Sequence, residues 1–294
     1  MKYKLSILIV NFNTDLLVVD AVNSVFKYTK NITFEIIIID NNSPKTTKLD
    51  SLLKNYKNVK LFKLDKNVGF GRANNFAFNK SEGEYVFLLN SDAYLIEDIF
   101  LKLIEILEKK PDIGCISPNV FLDNNELGIS YGNFLTKEKI LHDLKIKKIP
   151  KKQINGLSIA KKFKFQELKY VDYVTGAALM LRKNDIETYG LFNPDYFMYY
   201  EDMELCYMFR SFNLYSAIEP NCKIVHIGGQ SYNQIDFSNL KKTRIILHSK
   251  YIFSKNILPL YYAKILYLYS TLKSIINFRY YKAKSTIYKM ISNK

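Results

Sequence analysis

Three shortages bound this 294-residue chain before any motif is read. Cysteine is scarce: Cys115, Cys206 and Cys222 are odd in number and form no Cys-x-x-Cys pair. That excludes a disulfide scaffold and a thiolate metal site, and points to buried thiols in a reducing compartment. Long apolar runs are missing. The first, Leu5 to Val10, stops at Asn11, short of the roughly 7–15 residues of a secretory core. It reads better as a buried first strand. Asn256 to Leu272 comes nearest to a span but contains Pro259 and Lys264, so no membrane-crossing helix is expected. Acidic residues are absent from 241 onward, against twelve Lys and Arg.

Hydrophobic residues make up 48% and charged residues 24%, which gives a globular core and excludes a disordered chain. The net charge is +15. Residues 241–294 carry +12 of it, and 137–169, with eleven basic and three acidic residues, carry +8. The remainder is therefore at −5. A mildly acidic body with two basic appendages is no nucleic-acid coat. It suits a core with surfaces for anionic lipid or another polyanion.

Along the first 118 residues the pattern alternates. Leu5–Val10, Glu35–Ile39, Val59–Leu64 and Tyr85–Leu89 are short apolar or β-branched runs, read as strands. Leu16, Val19, Val22, Val25 and Phe26 recur at helical spacing, as do Ile99, Leu103, Ile106 and Leu107; about 71–79 is also helical. The fold class is α/β, a mostly parallel mixed sheet sandwiched by helices. In such sheets ligands bind beyond the carboxyl ends of the strands. Asn11, Asp40 and Asp92 stand at three such ends.

From about 123 to 170 the pattern dissolves, and 145–152 holds five lysines. This basic insertion reads either as a lid or acceptor-side segment, or as a solvated loop. Thr175-Gly176-Ala177-Ala178 offers small residues for a close approach. Farther on, Leu205, Met208, Phe209 and Phe212 form a core-facing helical stripe. Extended backwards, the stripe takes in Glu201 and Asp202, which puts both carboxylates at the positive end of the helix and facing the protein. Glu204, rotated by about 100°, faces solvent on this reading. His142 and His248 read as structural. The segment 241–294, with eight Tyr and two Phe among its basic residues, suits a membrane interface, single-stranded nucleic acid or a helical dimer surface.

The strings Ile9-Val10-Asn11-Phe12-Asn13, Ile39-Asp40-Asn41-Asn42-Ser43, Asn67-Val68-Gly69-Phe70-Gly71-Arg72, Leu89-Asn90-Ser91-Asp92, Tyr200-Glu201-Asp202-Met203-Glu204 and Val225-His226-Ile227-Gly228-Gly229 follow one another in order. Together they resemble the family 2 glycosyltransferases, closest to the rhamnosyltransferase-like branch, over about residues 4–240. The resemblance implies a GT-A fold and inverting transfer of a sugar, rhamnose in that branch, from a nucleoside diphosphate sugar to a hydroxyl. It implies that Asp40 meets the base, that Asn11 lies in the nucleotide pocket, and that Asn67, Gly69 and Arg72 form the loop beside it. Asp92 then matches the metal-binding aspartate of Asp-x-Asp, with His226 as a second ligand for Mn2+ or Mg2+. Asp202 matches the general base, with Glu201 beside it. Asn90 replaces the first aspartate of Asp-x-Asp; it can bond the ribose or a metal-bound water but brings no charge, which leaves the strictness of the cation requirement open.

The organisation expected is a catalytic domain over 1–240 and a basic, aromatic, helical tail over 241–294. The expected partners are a nucleotide sugar, a glycan or lipid-linked acceptor and an anionic membrane surface, with no nucleic acid and with self-association open. The expected location is cytoplasmic, peripheral on the inner face of the membrane. Two rival readings are a polyanion-binding protein and a catalytically silent relative that acts in assembly.

Overall fold

The computed structural model describes residues 2–43, 49–143, 160–161, 166–228, 239–273 and 275–276. The lysine run at 145–152 and Gly229 lie outside them.

The chain opens with alternating strands and helices: β1 (Tyr3–Asn11), α1 (Asp15–Tyr28), β2 (Phe34–Asp40), α2 (Leu49–Leu53), β3 (Val59–Lys63), α3 (Phe70–Phe78) and β4 (Gly83–Leu89). Ile36 to Ile39 are fully buried, which explains the unbroken isoleucine run. A short β5 (Ala93–Leu95), α4 (Phe100–Lys109) and β6 (Ile113–Phe121) follow. The basic insertion carries β7 (Tyr131–Gly132), α5 (Lys137–Asp143) and β8 (Ala160–Lys161). Then come β9 (Lys169–Val171), β10 (Tyr173–Val174), β11 (Ala178–Arg182), α6 (Lys183–Tyr189), α7 (Glu201–Ser211), β12 (Tyr215–His226) and α8 (Asn239–Ser254). A last helix, α9, occupies 260–273 and 275–276.

The main sheet has the order β3-β2-β1-β4-β11-β6-β12-β5. Its first four strands are parallel. Beyond them β11 lies antiparallel between β4 and β6, while β12 runs parallel to β6. Antiparallel β11 therefore joins the two parallel groups and makes the sheet mixed. Apolar clusters fill both faces, one against α1 and α4, the other against α3, α6, α7 and α8.

Three expectations need correction. On α1 the buried positions are Val18, Ala21, Val22 and Val25, while Leu16 is 73% exposed and Phe26 points outward. Its core stripe is rotated because the sheet takes the valine side. On α7, Leu205 and Phe209 are buried as expected, but Phe212 is exposed and stacks on Tyr189. Finally, the chain does not divide at 240. Ser249, Ile252, Phe253, Ser254, Ala263 and Leu266 are all buried, and Phe253 packs against Tyr200 and Tyr207. Residues 241–266 belong to the body, because α8 covers apolar surface that the sheet and α7 leave open.

Candidate active site

The floor of the site is a polar network at the carboxyl ends of β1, β2 and β4. Asn11 Nδ2 donates to Asp40 Oδ1 at 2.9 Å and to Asp15 Oδ1 at 3.0 Å, and its Oδ1 accepts from the Thr14 amide. Ser43 Oγ also bonds Asp40 Oδ1, and Thr14 Oγ1 lies 2.9 Å from Ser91 Oγ. Asn11 and Asp40 are almost fully buried in this network. Such groups persist in a core because each is paired.

Asn41, the residue after Asp40, shapes the neighbouring loop. Its Oδ1 accepts from the Val68 amide at 2.9 Å, and its Nδ2 donates to Asn67 Oδ1 and the Gly69 carbonyl. Gly69 has φ +88°, and a Cβ there would lie 2.2 Å from the Phe197 carbonyl oxygen. Only glycine fits this turn. The same carbonyl accepts from Phe70 N–H at 2.9 Å, so the start of α3 is tied to the 197–202 segment. Arg72 stands outside the cavity. It is exposed, and its Nε donates to the Pro194 carbonyl at 2.6 Å. Asn75 brackets the Phe192 backbone in the same way. Arg72 and Asn75 thus clamp the approach to α7.

That approach is strained. Tyr199 and Tyr200 both have φ of 70°, the left-handed region that non-glycine residues seldom enter. Each such residue costs on the order of 1–3 kcal/mol and survives where its surroundings fix it. Here Phe197 is held by α3, and the Met198 carbonyl accepts from Ser249 Oγ of α8 at 2.8 Å. The turn delivers Glu201 and Asp202 to the first turn of α7, where the helix dipole favours negative charge.

Both carboxylates line a cavity of about 700 Å³, together with Asn67, Asn90, Asp92, His226 and Lys242. Tyr173, Phe197, Tyr199 and Tyr200 add an aromatic wall. Glu201 is 6% exposed, and among the described residues its Oε2 has no hydrogen-bond partner. Burial, reinforced by the adjacent Asp202 charge, pushes its carboxyl up to about 8. Burial also raises Asp202, but the amides of Gly176 (3.1 Å) and Met203 (2.8 Å) donate to its two oxygens and favour the anion. The two carboxyls are therefore held differently: the amide donors favour the anion on Asp202, whereas burial and the Asp202 charge favour the proton on Glu201. Glu204 is half-buried rather than solvent-facing. Burial raises its pKa too, and Asn193 bonds it.

Opposite this pair, His226 ends β12 where β12 pairs with β5. Its Nε2 lies 3.0 Å from Asp92 Oδ1 and 3.3 Å from Asn90 Nδ2. Asn90 Oδ1 is buried and has no partner among the described residues. Among the described residues no three His, Cys, Asp or Glu gather as a metal site. One carboxylate, one imidazole and an unsatisfied carboxamide oxygen do fit a divalent cation whose remaining ligands come from a substrate. Of the expected residues, the cavity gathers Asn67, Asn90, Asp92, Glu201, Asp202 and His226. Asn11, Asp40 and Gly69 support it from behind, and Arg72 is excluded. Asn41 and the Tyr199–Tyr200 strain were missed. Asn41 is an uncharged neighbour of a conspicuous aspartate, and no sequence signal marks a left-handed tyrosine pair.

The family model described as "Glycosyl transferase family 2" matches residues 6–186. The chain belongs to that family. The match ends before Glu201, so the carboxylate pair rests on its geometry. A curated relative, the low-salt glycan biosynthesis hexosyltransferase Agl10 of Haloferax volcanii, is 25% identical over 258 residues, which is 86% of this chain and 76% of that protein. The rhamnosyltransferase WbbL of Escherichia coli K12 is 26% identical over 47% of this chain and 53% of its own length. The chain thus spans about half of that second relative. Among solved structures, GalNAc-T7 with UDP, GalNAc and Mn2+ superposes with a TM-score of 0.58 at 16% identity, covering 86% of this chain and 50% of that one. Staphylococcus aureus TarS 1–349 in complex with UDP gives 0.55 at 14% identity, covering 90% and 69%. The fold of this family 2 member is GT-A.

Proposed function

We propose that this glycosyltransferase moves a sugar from a nucleoside diphosphate sugar to a hydroxyl of a glycan or lipid-linked acceptor, with inversion, in cell-surface polysaccharide synthesis. The observation that carries the reading is that Asp202, held by two amides, and buried Glu201 line one cavity with Asp92, His226 and Asn90. The relatives named for hexosyl and rhamnosyl transfer support the sugar class, and rhamnose is the first sugar to test. The neighbours solved with UDP support a nucleotide donor.

Asn11, Asp40, Asn67 and Gly69 frame the nucleotide end, where β1 and β2 finish. Asp92 and His226, with the carboxamide oxygen of Asn90, would hold Mn2+ or Mg2+. When bound, the cation offsets charge on the diphosphate. Asp202 receives the proton of the attacking hydroxyl at Oδ1 or Oδ2, and its two amide bonds hold the carboxylate in place. Glu201, whose carboxyl is pushed up by burial and by the Asp202 charge, stands behind Asp202 and limits the negative charge beside it. The aromatic wall excludes water and offers a face for a sugar ring. Arg72 has no part in this scheme. The protein works peripherally at the inner membrane face, and among the described residues no helix is long and apolar enough to cross a bilayer.

Thermal melting with uridine, thymidine and guanosine diphosphates, with and without Mn2+, tests the donor site. A ligand at 100 times its Kd adds about 2.7 kcal/mol. A base-selective rise supports the reading, whereas no rise with any nucleotide overturns it. Asp202→Asn should keep that rise and lose transfer by about 10²–10⁴-fold, the usual worth of a general base.

A further inference from the structure

The helix α9 carries its apolar side chains on the wrong side for a core. Ala263 and Leu266 are buried against the body, and His248 and Tyr251 of α8 pack on the ring of Tyr267. On the opposite side Tyr261, Ile265, Leu268, Tyr269, Leu272 and Ile276 are 57, 58, 61, 40, 53 and 65% exposed. At about 100° per residue these six fall within an arc of roughly 100°, and Ile275 and Tyr262 widen it to about 140°. A contiguous apolar stripe of this kind marks an interaction surface.

The two lysines of α9 stand at the edges of that stripe. Lys264 falls about 20° beyond Ile275 on one border, and Lys273 about 20° beyond Tyr262 on the other. Lys273 Nζ lies over the Tyr269 ring, 5.9 Å from its centre. Long amines beside an apolar face can lie along it and lift their charge to the rim. No acid occurs anywhere in 241–294, and residues 277–294 add five further basic residues.

We infer that this face of α9 lies flat in the interface of an anionic lipid bilayer, apolar side chains down and Lys264 and Lys273 at headgroup level. The inference deepens the peripheral-membrane part of the proposed function and is independent of its catalytic part. Charge selects the occupant. Two copies joined through this face would bring together two segments of +12 each, whereas an anionic surface complements both lysine borders. Nucleic acid would be met by stacking aromatics, but Ile265, Leu268, Leu272, Ile275 and Ile276 are aliphatic. Among the described residues no helix can span the bilayer, so the helix lies on the membrane.

The experiment is co-sedimentation of the full chain with vesicles of phosphatidylcholine alone and with added phosphatidylglycerol, at low and high salt. The wild type should bind the anionic vesicles at least tenfold more tightly, and less so in high salt. Leu268→Glu with Leu272→Glu should lower binding at least tenfold. Leu16→Glu with Leu52→Glu, the same charge change on exposed leucines elsewhere, should leave binding unchanged. Lys264→Gln and Lys273→Gln should each cost about fivefold. Vesicle binding undiminished by the Leu268/Leu272 pair overturns the inference. So does a dimer that those substitutions dissociate, or oligonucleotide binding in place of vesicle binding. The nucleotide-induced rise in melting temperature, read on the same samples, reports the donor site separately.

Discussion

Two adjacent carboxylates in unlike surroundings line the candidate site. Asp202 has two amide donors, while among the described residues Glu201 Oε2 has no partner. The consequence for stability has a definite sign. The Glu201 pKa is raised on folding, so the folded chain binds more protons than the unfolded one between about pH 4.5 and pH 8. Stability therefore falls as pH rises through that window, and the penalty is complete above it. Glu201→Gln removes the titration, so its melting temperature should fall less between pH 5 and pH 8 than that of the wild type. Matched melts across that range check this. At this scale the sequence was partly legible. Helical spacing was enough to turn Glu201 and Asp202 inward, because a 3.6-residue period leaves them one turn above Leu205. The same arithmetic misplaced Glu204, because the loop bearing Asn193 covers that side of α7 and spacing within a helix carries no news of a distant loop. The resemblance put Arg72 in the loop beside the nucleotide pocket, yet its side chain is exposed and bonds the Pro194 carbonyl.

Among elements, the decisive contact joins α8 to the turn before α7. Ser249 is 1% exposed, and its hydroxyl satisfies the Met198 carbonyl next to two left-handed tyrosines. Ser249→Ala should destabilise by about 1–3 kcal/mol, the cost of a buried group left unpaired. Because the turn sets Asp202, kcat should drop while the KM for the donor stays near that of the wild type. Ser249→Thr, which restores a hydroxyl, should recover part of kcat. Steady-state kinetics and melting of the two variants check both statements. Strand ends were the most legible feature of the chain. An apolar run that stops at a polar residue locates the carboxyl edge of a parallel sheet, and Asn11, Asp40 and Asp92 all stand there. The partner of Met198 was not legible, since a serine within a basic, aromatic segment shows nothing of a contact 51 residues back in the chain.

For the molecule as a whole, composition marked 241–294 as a basic, aromatic tail, and packing shows that part of it is buried in the body. The charge of 241–294 is real, but the described part of the segment is two-sided. Phe253, Ala263 and Leu266 enter the core, Lys242 lines the cavity, and Lys241, Lys255, Lys264 and Lys273 are exposed. Charge is read from a count, whereas burial depends on which surface α7 leaves uncovered. A chain ending at residue 238 should lose its cooperative thermal transition, because it strips Ile252, Phe253, Ser254 and Leu266 from one apolar cluster and its neighbourhood. Circular dichroism during heating checks this, and a sharp transition near that of the full chain would refute it. The Ser249–Met198 bond also orders events in time. Synthesis runs from the amino end, so Asp202 leaves the ribosome 47 residues ahead of the hydroxyl that braces its turn. A nascent chain can thus display every carboxylate of the site while the turn that aims them is still loose. The turn before α7 can take this brace only once α8 has been made.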